Sequence, residues 1–177
     1  MDAAGRALRP GRRLHRMGAM KKVLVAVAFL LVWSLSAGAS PQEDAIASDA
    51  QVKIAVSVAP QSVGAGSDAS VTVKLSPKPG IKMNRYPKIK VQVPAVAGLV
   101  GSAEQTLGNA GPPAADQLET NYFHDGVDPL RLTLHLDAGA TKGRHDIHAK
   151  LSYFYCVAAS GYCAPAKTDL TIPITIR

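Results

Sequence analysis

Beyond residue 50 the chain is written in short runs in which apolar and polar residues alternate. Val52-Lys53-Ile54-Ala55-Val56-Ser57-Val58, Val71-Thr72-Val73-Lys74-Leu75 and Ile89-Lys90-Val91-Gln92-Val93 each keep a period of two, as do the runs 130–136, 145–155 and 170–176. That period places one side-chain set on each face of a half-buried strand, so at least six strands are predicted. Turn-forming stretches separate them: 60–66, Pro77-Lys78-Pro79-Gly80, 108–113 and Asp137-Ala138-Gly139. No window in this region carries a 3.6-residue apolar stripe, and helices are not expected. Short strands that are each apolar on one face are satisfied by two sheets packed together, so the fold class is all-β, an immunoglobulin-like two-sheet sandwich. The widely spaced Cys pair with an intervening Trp that marks true immunoglobulin domains is missing, since the sole tryptophan is Trp33. Pro173 has no N–H to give and predicts that the last strand lies at a sheet edge or carries a bulge.

The residues ahead of these strands have a different character. Met20-Lys21-Lys22, the apolar run 23–35 and Ala37-Gly38-Ala39 supply the basic start, short apolar middle and small-residue cleavage site of a secretory signal. A helix over that run spans about 20 Å against a hydrocarbon core of about 30 Å, so cleavage before Ser40 is expected rather than a retained membrane anchor. Residues 1–39 are therefore read as a signal peptide with an extended basic n-region, and 40–50, rich in Ser, Ala, Asp and Glu, as a linker. Residues 51–177 form the domain. The formal charge of +7 belongs almost wholly to the leader: from Ser40 onward 13 Lys and Arg face 12 Asp and Glu. A near-neutral mature chain lacks the basic excess that backbone-phosphate binding requires, which excludes nucleic acid as a partner.

Cys156 and Cys163 are the only cysteines. Along the strand that ends at Cys156, Ile147, Ala149, Leu151, Tyr153 and Tyr155 share the core face. His148, Lys150, Ser152, Phe154 and Cys156 share the more polar one. The six residues from Val157 to Tyr162, with Gly161 free to take a positive φ, turn the chain so that Cys163 returns beside Cys156. Opposed Cα atoms in an antiparallel pair lie about 4.5–5.5 Å apart, a separation a disulfide spans. In an exported domain the plain reading is a structural bond. The loop it closes is about eight residues long, which gives only about 2.5 kcal/mol in the chain-entropy picture. Its place beside a turn leaves a sulfur open to in-line attack by a partner thiolate. Neither cysteine has a Lys or Arg beside it in sequence, Lys167 being four residues past Cys163.

Tyr153-Phe154-Tyr155-Cys156, Gly161-Tyr162-Cys163-Ala164-Pro165 and the strand 170–176 resemble the active-site hairpin of the N-terminal periplasmic domain of the thiol:disulfide interchange protein DsbD. Pro79-Gly80-Ile81-Lys82-Met83-Asn84-Arg85-Tyr86-Pro87 is similar to an early segment of that family, and the run 130–136 behind an aromatic loop matches as well. The likeness extends over residues 52–177. It implies an immunoglobulin-like domain that takes electrons from a thioredoxin-like domain or membrane transporter and passes them to oxidised periplasmic proteins. Cys156 and Cys163 are then the redox pair, and Tyr122 or Phe123, within Asn121-Tyr122-Phe123-His124, caps the sulfurs. Asn84, Tyr86, Glu119 and Tyr162 fall on the rim. No cofactor is implied, and the electron donor is expected on a separate chain.

Two readings of other classes compete with this one. A soft-metal carrier would use both cysteines with His124, His148 or Met83, though His145 and His148 fall on opposite strand faces and do not chelate together. A binding or assembly module would keep the disulfide as a brace. Hydrolase chemistry finds no Gly-x-Ser-x-Gly elbow, zincin helix or phosphate loop.

Overall fold

The computed structural model describes residues 51–177 together with the backbone of the strand Ala45–Ser48; the leader, its cleavage site and the remainder of the 40–50 stretch lie outside the described residues. The strands in chain order are β1 (Ala45–Ser48), β2 (Val52–Ala59), β3 (Ser62–Val63), β4 (Asp68–Pro77), β5 (Ile81–Met83), β6 (Ile89–Val93), β7 (Ala103–Leu107), β8 (Leu130–His135), β9 (Gly143–Val157) and β10 (Tyr162–Ile176). One sheet has the order β1-β2-β4-β8 and the other β3-β10-β9-β6-β7, with β5 pairing β9 as well. The two pack together as the expected all-β sandwich, and the only helical element among the described residues is the 3-10 turn Leu118–Asn121.

Part of the stretch read as a linker is ordered after all. β1 pairs antiparallel with β2, from Ala45 opposite Val56 to Ser48 opposite Lys53. An edge strand is held by main-chain hydrogen bonds, which any side-chain composition can make, so four residues set among Ser, Asp and Glu did not announce it.

The core is built from the alternation itself. Val52, Ile54 and Val56 of β2, and Val71, Val73 and Leu75 of β4, meet Ile147, Ala149 and Leu151 of β9 and Leu170, Ile172 and Ile174 of β10 in one buried cluster. Each aliphatic side chain withdrawn from water contributes about 1.5–3 kcal/mol, so each of these four strands is fixed by its own inward row.

β9 and β10 form a continuous ladder from Tyr162 opposite Val157 to Ile176 opposite Gly143, with no break in register. Cys156 and Cys163 face each other with Cα atoms 4.0 Å apart, the close spacing of a non-hydrogen-bonded pair. Every second residue from Cys163 shares that character, including Pro165 and Pro173, so the nitrogen of each proline points away from β9. β10's other neighbour, β3, runs only beside Thr175 and Ile176. Pro173 thus sits where it removes no ladder bond, in line with the edge position expected for it.

The face assignment on β9 holds from Ile147 to Tyr153 and then fails at the tip. Tyr155 is only half-buried, whereas Cys156, on the nominally polar face, is 4% exposed. The reason is that other segments cover that face where the hairpin ends.

Candidate functional site: a half-covered disulfide

Cys156 and Cys163 are joined by a disulfide at the end of the β9–β10 hairpin. The connection is shorter than the six residues expected: Val157 and Tyr162 are still paired, leaving a turn over residues 158–161. Gly161 adopts φ +68°, a conformation that costs a side-chain-bearing residue free energy, and its N–H donates to the Val157 carbonyl at 2.9 Å. The Ala158 N–H donates to the Gly80 carbonyl at 2.8 Å, tying the hairpin tip to the turn before β5.

β5 lies against β9 at the tip, with Ile81 opposite Val157, Lys82 opposite Cys156 and Met83 opposite Tyr155. Asn84 continues this edge, its N–H donating to the Phe154 carbonyl at 3.0 Å. A second segment then adds to the first: Asn84 and Tyr122 form an antiparallel bridge, the Phe123 N–H donates to the Met83 carbonyl at 3.0 Å, and the Arg85 N–H donates to the Asn121 carbonyl at 2.6 Å. The Asn121 side chain holds both main-chain groups of one residue, accepting from the Tyr86 N–H at 2.8 Å and donating to the Tyr86 carbonyl at 2.9 Å. The Arg85 carbonyl accepts in turn from the Asn109 N–H at 2.8 Å. Residues 121–123 are thereby fastened over 83–86 by main-chain bonds, an arrangement local sequence does not specify.

This fastening puts the Tyr122 hydroxyl 3.6 Å from Cys156 Sγ and the Asn84 side-chain oxygen 3.5 Å from the same atom. The phenol donates to the sulfur. A disulfide sulfur carries no hydrogen, so the Asn84 oxygen receives one from it only when Cys156 is a thiol. Cys163, in contrast, is exposed, as are its neighbour Tyr162 at 62% and the whole 158–161 turn. The two sulfurs of one bond therefore have unequal surroundings: one is covered and hydrogen-bonded, the other open.

Charge gathers on the covered side. Lys82 Nζ is 3.0 Å from a Glu119 carboxylate oxygen and 4.7 Å from the centre of the Tyr122 ring. The Arg85 guanidinium lies 4.7 Å from the Phe123 ring centre. Exposed ion pairs and cation–π contacts of this kind contribute about 0.5–1 kcal/mol each, a modest addition to the main-chain bonds that hold the segment.

No family model, curated protein or solved structure matches the chain.

Among the residues singled out from sequence, Cys156, Cys163, Tyr122 and Asn84 meet at one point. Phe123 turns toward the core, packing against its edge beneath Arg85, so Tyr122 is the aromatic over the sulfur. Glu119 reaches Lys82 rather than the cysteines, and Tyr86 takes part through its main chain. The candidate metal donors do not converge. Met83 is 1% exposed within the core, and His124 Nε2 is engaged at 2.9 Å by the Glu119 carbonyl. His148 stands opposite Thr171, eight positions along β9 from Cys156, or about 26 Å. Four participants escaped the sequence reading as individuals: Lys82, Arg85, Asn121 and Gly108. Lys82 is the basic residue that sequence adjacency did not supply to either cysteine. Gly108 holds φ +127° with a Cβ position that would collide with the Arg85 carbonyl oxygen, so only glycine lets that chain pass.

Proposed function

We propose that this protein is an exported thiol-disulfide exchange carrier of the periplasm, relaying electrons through Cys156 and Cys163 from a thioredoxin-like or membrane donor to oxidised periplasmic proteins. The observation that carries this reading is the inequality of the two sulfurs, since Cys163 is exposed beside a turn while Cys156 is covered by Tyr122 and Asn84. A brace between strands gains nothing from such an arrangement. The β9–β10 ladder, moreover, holds the hairpin together independently of the bond. The resemblance of the hairpin and of residues 79–87 to the DsbD N-terminal domain, and the leader, support the pathway and the compartment.

The chemistry follows from access. A donor thiolate attacks Cys163 Sγ in line with the S–S bond; that bond breaks, a mixed disulfide forms between donor and Cys163, and the electron pair leaves on Cys156 Sγ. A second donor thiolate then attacks the donor's own sulfur, releasing Cys163 and leaving the carrier as a dithiol. Toward an acceptor the order reverses: Cys163 attacks, and Cys156 resolves the mixed disulfide.

The first test is the reduction potential of the pair, read by thiol-alkylation mass shift across a series of redox buffers. A value well above about −300 mV supports the carrier, and one below it marks a bond resistant to reduction and removes the exchange function.

A further inference from the structure

We infer that Tyr122 and Asn84 are two opposed hydrogen-bonding partners of Cys156 Sγ, the phenol serving the sulfur when it has no proton and the amide oxygen serving it when it has one. This deepens the exchange reading and rests on it. Tyr122 O–H is 3.6 Å from the sulfur and can donate to a disulfide or a thiolate. Asn84 is 8% exposed, and its main chain is fixed by the bond to Phe154 and the bridge to Tyr122, so its side-chain oxygen stays 3.5 Å from the sulfur. That oxygen accepts only, and therefore pairs with Cys156 as S–H.

The roles fall on successive steps of one exchange. When a partner thiolate adds to Cys163, the pair of electrons from the broken S–S bond arrives on Cys156, where Tyr122 is already placed to donate to the new anion. Hydrogen bonds to an anion are worth about twice those between neutral groups, so this contact is stronger after attack than before and assists bond opening. Once a proton from solvent reaches Cys156, the S–H turns to the Asn84 oxygen, which stabilises the dithiol product. Tyr122 is then a catalytic residue in the strict sense, touching the atom on which charge develops. Asn84 sets how far the equilibrium lies toward the reduced form.

The two roles predict shifts of opposite sign, which covering the sulfur does not. In the Cys163→Ser chain the Cys156 thiolate is titrated by its ultraviolet absorbance. Tyr122→Phe, which keeps the ring over the sulfur, is expected to raise the titration midpoint by about one pH unit, whereas Asn84→Ala lowers it. In the otherwise wild-type disulfide, Tyr122→Phe is expected to slow opening by glutathione about tenfold. Shifts in the same direction, or an unchanged midpoint and rate in Tyr122→Phe, overturn the inference. If Asn84→Ala does not fold, the two Tyr122→Phe measurements decide alone. Failure of the parent reading looks different, because the wild-type bond then resists glutathione and thioredoxin alike while the titration shifts remain.

Discussion

Lys82 of β5 stands directly across from Cys156 of β9 in the strand register, so the ammonium and the sulfur leave the same face of the sheet, with the Tyr122 ring beside them. In the proposed exchange, a cation at this place favours negative charge arriving on Cys156. Lys82→Gln is accordingly expected to slow opening of the disulfide about two- to threefold, and the deficit should shrink as salt is raised, because a charge at the surface is screened. Stopped-flow kinetics with glutathione at low and high ionic strength measures both.

The single-cysteine variants should differ in kind. Cys156→Ser leaves the exposed Cys163 without its resolving partner and is expected to accumulate a mixed disulfide with an oxidised protein substrate. Cys163→Ser should accumulate almost none, since its remaining sulfur is covered. Non-reducing electrophoresis after acid quenching reads the difference, and equal trapping by both variants would contradict the assignment of Cys163 as the attacking and attacked sulfur.

Replacing both cysteines by serine is expected to cost at most about 2.5 kcal/mol of stability, the chain-entropy value for so short a loop. Urea denaturation of the double variant beside the oxidised parent gives the figure. A loss well beyond it would mean that the bond braces the fold.

Asn121→Ala removes the pair of bonds that secures the Tyr86 main chain. Each contributes about 0.5–1.5 kcal/mol, so local opening of the segment should become about tenfold to a hundredfold more frequent. Hydrogen exchange at the Arg85, Tyr86 and Phe123 amides should accelerate by that factor while β9 core amides such as Leu151 stay protected.

Gly108→Ala is expected to destabilise by about 1–3 kcal/mol, combining a positive φ with a methyl group driven into the Arg85 carbonyl. The same denaturation experiment measures it. Because Arg85 anchors residues 121–123, this variant should also loosen the cover of Cys156.

The sandwich was legible because its strands carry their address in alternation: Ile147, Ala149 and Leu151 face inward as their period requires. The lower half of β10 was legible for the same reason, but its upper half was not. Ala164, Ala166 and Thr168 keep the period with side chains too small to mark a face, and the strand there is set by its partner β9. The cysteine pair could be read from spacing and the turn. A cap by Tyr122 or Phe123 was expected only through the family resemblance; period and spacing do not show it, because it depends on Lys82, Asn84, Asn121 and Tyr122 meeting through strand pairings between distant segments. A two-residue strand such as β3 and a four-residue edge such as β1 are too short for a hydropathy pattern to mark.

The unbroken ladder between β9 and β10 has a mechanical meaning. The disulfide closes the rung next to the last at one end, while the rows that bury the core lie farther along the same two strands. Opening it frees a clasp at the tip and leaves the load on the rungs behind. A clasp of that kind can be undone without wear on the body it fastens, so oxidised and reduced molecules should share one fold, as the proposed carrier requires.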